Sequence, residues 1–255
     1  MSGKLQEIVI LYCDTDALST EDVKRMEDFV SEGRLSRISP RLSPAKRMQH
    51  LVAGYLLERY LFLEGYPATF SYGYHESGKP YLVLADGMEA PHFSITHSGS
   101  KVACAISPCP VGIDIEDRVY GEEKPTTKER LHRITNRFFS EEEQTYLTYY
   151  PEEFYQIWTF KEAVAKAFNE PMPEVLHRYC YRNVLKKIQD VDMSQSTMVE
   201  DHIFLVKTSI QVERESASTK KNEKNLNKKE KNSGFYRLQK APFVGFLVDK
   251  GNKDS

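Results

Sequence analysis

The chain has 255 residues, 40% hydrophobic and 28% charged, and 35 Lys plus Arg against 37 Asp plus Glu give a formal net charge of -2. That composition supports a buried core, in one large domain or two small ones, and excludes a chain disordered throughout. It lacks the basic excess of a bulk nucleic-acid binder, and no apolar run approaches the roughly 18 residues of a membrane span.

Glu7–Tyr12 reads as a strand, too short for the apolar region of a secretory signal and followed at once by Asp14 and Asp16. A polar helix is expected from about Thr20, capped by Ser19 or Thr20. A longer one begins near Ser43-Pro44, with Met48, Leu51, Val52, Tyr55 and Leu56 at helical spacing and Gly65 with Tyr66-Pro67 as its stop. Short strands follow at Thr69–Tyr74, Tyr81–Leu84, His92–Thr96, Val102–Ile106 and Val111–Glu116, punctuated by Gly and Pro turns. Helices return at Thr126–Asn136, Ser140–Tyr149 and Pro151–Phe168, the second opened by the capping box Ser140-Glu141-Glu142-Glu143. A second β set, His202–Val212 and Phe235–Val248, closes the chain. Between them Arg214–Ser233 has almost no apolar residue and is expected to be a disordered insertion at 214–233. This order predicts two α+β halves meeting near residue 110. Cys13, Cys104, Cys109 and Cys180 form no CxxC pair and read as reduced thiols of a cytoplasmic protein.

Gly73–Lys79 matches the GxxxxGK part of a phosphate-binding loop, but Pro80 and a strand follow where a hydroxyl residue and a helix are needed. In Val111–Glu116, period two puts Gly112, Asp114 and Glu116 on one face, with Gly112 leaving room beside the carboxylates for a ligand. Such a pair reads as a solvent face or as a site for a hard divalent cation. On the last long helix Trp158, Glu162 and Lys166 fall in one row. The row is either a surface Glu–Lys pair or a proton-transfer pair. His97, among hydroxyls at the end of a strand, is a structural histidine or a phosphate donor.

Taken together, Gly78-Lys79-Pro80, Phe93-Ser94-Ile95-Thr96-His97-Ser98, Gly112-Ile113-Asp114-Ile115-Glu116 and Trp158-x-x-Lys161-Glu162-x-x-x-Lys166 resemble the 4'-phosphopantetheinyl transferases. The likeness is greatest to the larger, two-lobed, surfactin-synthetase-activating type and spans roughly residues 5 to 170. It implies an α+β pseudo-dimer of two similar lobes, 1–110 and 111–255, with the active site in the cleft between them. The activity it implies is magnesium-dependent transfer of the phosphopantetheine arm of coenzyme A to a serine of an acyl or peptidyl carrier protein. Adenosine 3',5'-bisphosphate would be the second product. By matching positions, Asp114, Glu116 and Glu162 would hold the metal, and Lys79, Thr96, His97, Arg34 and Arg37 would line the coenzyme A site. Glu162 would take the serine proton, Lys166 would serve the departing phosphate, and Lys161 would support the cluster. His50 stands where a small hydroxyl residue is usual. A monomer is expected, with neither nucleic acid nor membrane as partner. The rival readings are a magnesium-dependent phosphodiesterase or nuclease and an inactive carrier-binding module.

Overall fold

The computed structural model describes residues 4–85, 88–118, 121–122, 124–178, 180–181, 188–192, 196–212, 234–239 and 244–249. The insertion expected at 214–233 lies outside the described residues. The secondary structure is mixed α+β, as expected, and among the described residues no helix is long and apolar enough to cross a membrane.

Strand β1 (Lys4–Asp14) leads into helix α1 (Thr20–Phe29), whose capping box pairs Ser19 with Asp22. A short α2 (Glu32–Leu35), not expected from the sequence pattern, precedes the long α3 (Pro44–Leu63), which starts with Ser43 as cap and Pro44 in its first turn. Strands β2 (Phe70–Tyr74) and β3 (Pro80–Leu84) form a separate hairpin whose turn carries Gly78 at φ 84°. Then come β4 (His92–Ser98), β5 (Lys101–Ser107) and β6 (Val111–Glu116). Helices α4 (Pro125–Phe138), α5 (Glu141–Tyr149), α6 (Phe154–Phe168) and α7 (Met172–Arg178) follow, the last also unexpected. The chain ends in β7 (Ile188–Asp192), β8 (Thr197–Glu200), β9 (Ile203–Val212), β10 (Gly234–Gln239) and β11 (Val244–Asp249). Within the β set expected to close the chain, Phe235–Val248 holds two antiparallel strands, β10 and β11.

Two larger sheets result, one of order β4-β5-β1-β9-β8 and one of order β6-β11-β10-β7. Strand β9, beyond residue 110, pairs with β1 from Lys4↔Val212 to Cys13↔Ile203. Alternation along β1 explains its central place, since each of its faces is apolar. Leu11 and Cys13, with Val102, Cys104 and Ile106 of β5, pack on Leu51, Val52, Tyr55 and Leu56 of α3. Ile8 and Ile10, with Ala103 and Ala105, pack instead on Val111, Ile113 and Ile115 of β6. Each large apolar side chain among them contributes on the order of 1.5–3 kcal/mol by leaving water. A third core joins α4, α5, α6 and α7. Cys13, Cys104 and Cys109 are buried and Cys180 half-buried, all free thiols.

Candidate active site

With its apolar face spent on the first sheet, β6 turns Gly112 and Asp114 toward α6. This is the face division that the sequence predicts. The face is buried, however, so the solvent-face reading fails: Asp114 is 3% exposed. Gly112 does not leave space for a ligand. A Cβ there would stand 2.0 Å from the Ala163 carbonyl oxygen and 2.6 Å from the Ala167 nitrogen, so the missing side chain is what lets α6 lie directly on β6.

The edges of the two sheets meet at β4 and β6. Here the hydroxyls of Ser94 and Thr96 accept from the amides of Ile113 and Ile115, each at 3.2 Å. Thr96 then donates its own proton to Asp114 Oδ1 at 3.0 Å, and Lys166 Nζ donates to the same oxygen at 2.6 Å. Asp114 Oδ2 is buried and receives no donor among the described residues. The neighbouring carboxyl of Glu162 can satisfy it only by carrying a proton. Burial and the charge of Asp114 accordingly raise the Glu162 pKa, against the opposing pull of Lys166. Glu116 is also raised, by burial and by Asp114, and its Oε2 takes a bond from Ser98 at 3.1 Å and lies 3.5 Å from Arg118 Nε.

The structure therefore brings Asp114, Glu162, Lys166 and Thr96 together, with Glu116 close enough to be felt. Among the described residues no three His, Cys, Asp or Glu side chains are arranged to enclose a metal ion as they stand. The donor set still suits a hard cation: all oxygen, two of the carboxyls raised by burial and by the charge of Asp114, and a buried Oδ2 without a donor among the described residues.

Lys161 must be reassigned. One residue from Glu162 on a helix is about 100° around the axis, so its side chain leaves on another face. It is fully buried, 3.0 Å from Glu143 Oε2, and donates to the Leu176 carbonyl at 2.8 Å. Glu143 also takes the amides of Ser140 and Tyr181. Burial lowers the Lys161 pKa and Glu143 opposes the change. Lys161 ties α5, α6 and α7 together and does not support the carboxylate cluster. Trp158 likewise stacks on Phe154, at 6.3 Å between ring centroids, and packs on the helical core.

The remaining predicted residues make contacts of their own. Lys79, at the end of the hairpin, donates to the carbonyls of Val111 at 3.3 Å and Lys166 at 2.5 Å, and beside it Ser77 bonds Asn169, the left-handed residue that ends α6. A cavity of about 380 Å³ lies here, lined by Lys79, Ser94, Ile95, Lys166 and Asn169 among others. Arg34 runs over Gly54 of α3 and donates to the His50 carbonyl at 3.4 Å, while Arg37 covers the Tyr74 ring at 4.4 Å. His97 faces His50, their ring centroids 5.8 Å apart, and Lys46 acts on both rings. No sequence motif singles out Lys46, although it lies one helical turn ahead of His50, the spacing at which side chains become neighbours.

Comparison with known sequences points to one family. Residues 110–203, which hold β6 and α6, match the sequence model of the 4'-phosphopantetheinyl transferase superfamily. A 4'-phosphopantetheinyl transferase of Bacillus subtilis is 39% identical over 105 residues, covering 39% of this chain and 42% of the relative. The 4'-phosphopantetheinyl transferase Sfp of Bacillus subtilis (strain 168) is 30% identical over 157 residues, 58% of this chain and 64% of the relative. The 4'-phosphopantetheinyl transferase gsp of Aneurinibacillus migulanus is 35% identical over 103 residues, 38% of each chain. The chain thus spans less than two thirds of the length of these relatives. Its likeness to the superfamily, and to the Sfp-like type, rests on sequence as well as on motif order.

Proposed function

We propose that the chain transfers the 4'-phosphopantetheine moiety of coenzyme A to a serine of an acyl or peptidyl carrier protein, releasing adenosine 3',5'-bisphosphate. The observation that carries this reading is the convergence of Asp114 from β6 with Glu162 and Lys166 from α6, at the seam where β4 brings Thr96. The two sheets, one backed by α3 and one by α6, support the pseudo-dimer reading with the reaction in the cleft between lobes. A monomer suffices for such a cleft, and free buried cysteines are in keeping with a cytoplasmic setting.

Asp114, Glu116 and Glu162 are the residues to hold magnesium, and the buried Oδ2 of Asp114 is the acceptor such an ion would satisfy. When bound, the ion offsets the negative charge of the coenzyme A diphosphate. Glu162, whose carboxyl holds a proton more tightly than usual, takes the proton of the carrier serine as its oxygen bonds to phosphorus. The bond from that phosphorus to the bridging oxygen breaks, and the charge on the departing bisphosphate is met by the Lys166 ammonium. Arg34, Arg37, Lys79 and His97 bind and orient the phosphates, and Thr96 fixes Asp114.

The test is incubation of the purified chain with coenzyme A, magnesium and a carrier domain, followed by intact-mass measurement of the carrier. Addition of one phosphopantetheine arm is expected, with none from Asp114→Ala. An unmodified carrier with wild-type protein overturns the reading, and cleavage of nucleic acid without coenzyme A favours a phosphodiesterase.

A further inference from the structure

Away from the carboxylate cluster, another acid is buried where the transfer chemistry makes no use of it. Glu58 lies on α3, 5% exposed, and no ion pair among the described residues includes it. A buried carboxylate without a cation needs neutral donors to offset its lost hydration. Three converge here: the Ser31 amide on Oε2 at 2.7 Å, and on Oε1 the Ser31 hydroxyl at 2.8 Å and the Tyr72 hydroxyl at 2.9 Å. Burial and the carboxylate raise the Tyr72 phenol, which therefore stays protonated and donates.

Ser31 stands just before α2, where a serine hydroxyl ordinarily caps the first turn, yet it makes no capping bond and turns to Glu58 instead. Its carbonyl accepts the Arg34 amide at 2.9 Å, so the turn fixed at Ser31 carries that arginine with it. Opposite α2, the Arg34 guanidinium lies 6.0 Å from the centre of the Tyr72 ring, and Arg37 lies 4.4 Å from that of Tyr74. Residues three apart on a helical turn thus meet residues two apart on β2, and Glu58 bonds both sides of the match.

On the coenzyme A reading above, we infer that Glu58 is a positioning residue of this chain: it seats α2 against the β2–β3 hairpin and so holds Arg34 and Arg37 in place before the ligand arrives. It acts through the arginines and meets no phosphate itself. Fixing two long side chains beforehand removes an ordering cost from binding, which strengthens affinity and leaves the chemical step alone. Glutamine at this position keeps the shape of the side chain but turns an N–H toward either the Ser31 amide or the two hydroxyls. The three donors are then no longer all met, and the grip on α2 and the hairpin loosens.

The experiment measures coenzyme A affinity by equilibrium titration, together with KM and kcat of carrier modification, for wild type, Glu58→Gln and Tyr72→Phe. Each is measured again in an Arg34→Ala background. Near-ultraviolet circular dichroism establishes that each variant is folded, and Tyr72→Phe, which keeps the ring and removes only the hydroxyl, serves where Glu58→Gln does not fold. Both substitutions should weaken coenzyme A binding and raise its KM, Glu58→Gln by about tenfold, the size of one hydrogen bond to a charged group. At saturating coenzyme A kcat should stay within about twofold of wild type. In the Arg34→Ala background the same substitutions should change affinity by less than about threefold, because the group they act through is gone. Unchanged affinity in the wild-type background, an equal loss in both backgrounds, or a fall confined to kcat overturns the inference while carrier modification by wild type still stands. Wild-type protein that neither binds coenzyme A nor modifies the carrier overturns both readings.

Discussion

Asp114 and Glu162 bring two carboxyls together on the buried side of β6, where burial and the charge of Asp114 disfavour a second negative charge. The pKa of Glu162 is raised above its ordinary 4.5, so the folded state binds this proton more tightly than the unfolded one. Its contribution is present below the unfolded value and is lost as pH rises through the folded value. Without metal, Glu162→Gln should therefore melt higher than wild type at pH 8 but not at pH 5, while transfer is lost. For a chain of this size each kcal/mol shifts the midpoint by about 2–4 °C, within reach of calorimetry in chelator. Identical melting at pH 8 would remove the electrostatic strain assigned here. Lys166→Ala should lower kcat far more than coenzyme A affinity, measured by single-turnover kinetics and equilibrium titration, because its ammonium bonds Asp114. At this scale the sequence is informative where periodicity governs. Period two places Asp114 and Glu116 on one face, and a four-residue step aligns Glu162 with Lys166. The Thr96–Asp114 bond is not legible there, since two strand edges meeting through hydroxyls leave no trace in local pattern. For Lys161 the motif and the helical period disagree, and the structure sides with the period, which turns it away from Glu162.

The helix α6 owes its position to two features of opposite character. At Gly112 its backbone rests on β6 with no room for a methyl group, because the nearest atoms are backbone and cannot swing aside. Gly112→Ala is expected to cost about 1–3 kcal/mol in denaturant unfolding and to depress transfer beyond that loss, since the displaced helix carries Glu162 and Lys166. On the far side, Lys161 and Glu143 form an ion pair in which both side chains are fully buried. Removing one member leaves an uncompensated charge, so Lys161→Met should cost about 3–5 kcal/mol while leaving bisphosphate affinity unchanged in the folded fraction. A large loss of affinity at retained stability would return Lys161 to the site. The capping box at Ser140 is legible from residue spacing alone, but its Glu143 also accepts the Tyr181 amide and pairs with Lys161, partners 38 and 18 residues on. Spacing along the chain tells of caps and not of such distant engagements.

Across the whole molecule, β1 is flanked by β5 on one side and by β9 on the other. The change of texture near residue 110 is visible in the sequence, yet the return of β9 to the first sheet is not, because strand pairing at such separation depends on topology and not on composition. Glu200 of β8 reinforces the return by accepting from Tyr55 at 2.7 Å and Arg59 at 3.1 Å, both on α3. A fragment of residues 1–110 should for this reason fail to hold a stable tertiary structure. Hydrogen exchange of its β1 amides should be far faster than in the full chain, and equal protection would show the first half to be autonomous.

Thr96 links all three scales. One oxygen accepts the amide that joins β4 to β6 and donates the proton that aims Asp114. The junction between sheets and the aim of the acid are thus a single adjustment. Any drift apart of the two sheets rotates the carboxylate out of line, so the alignment of the acid gauges how tightly the seam is shut.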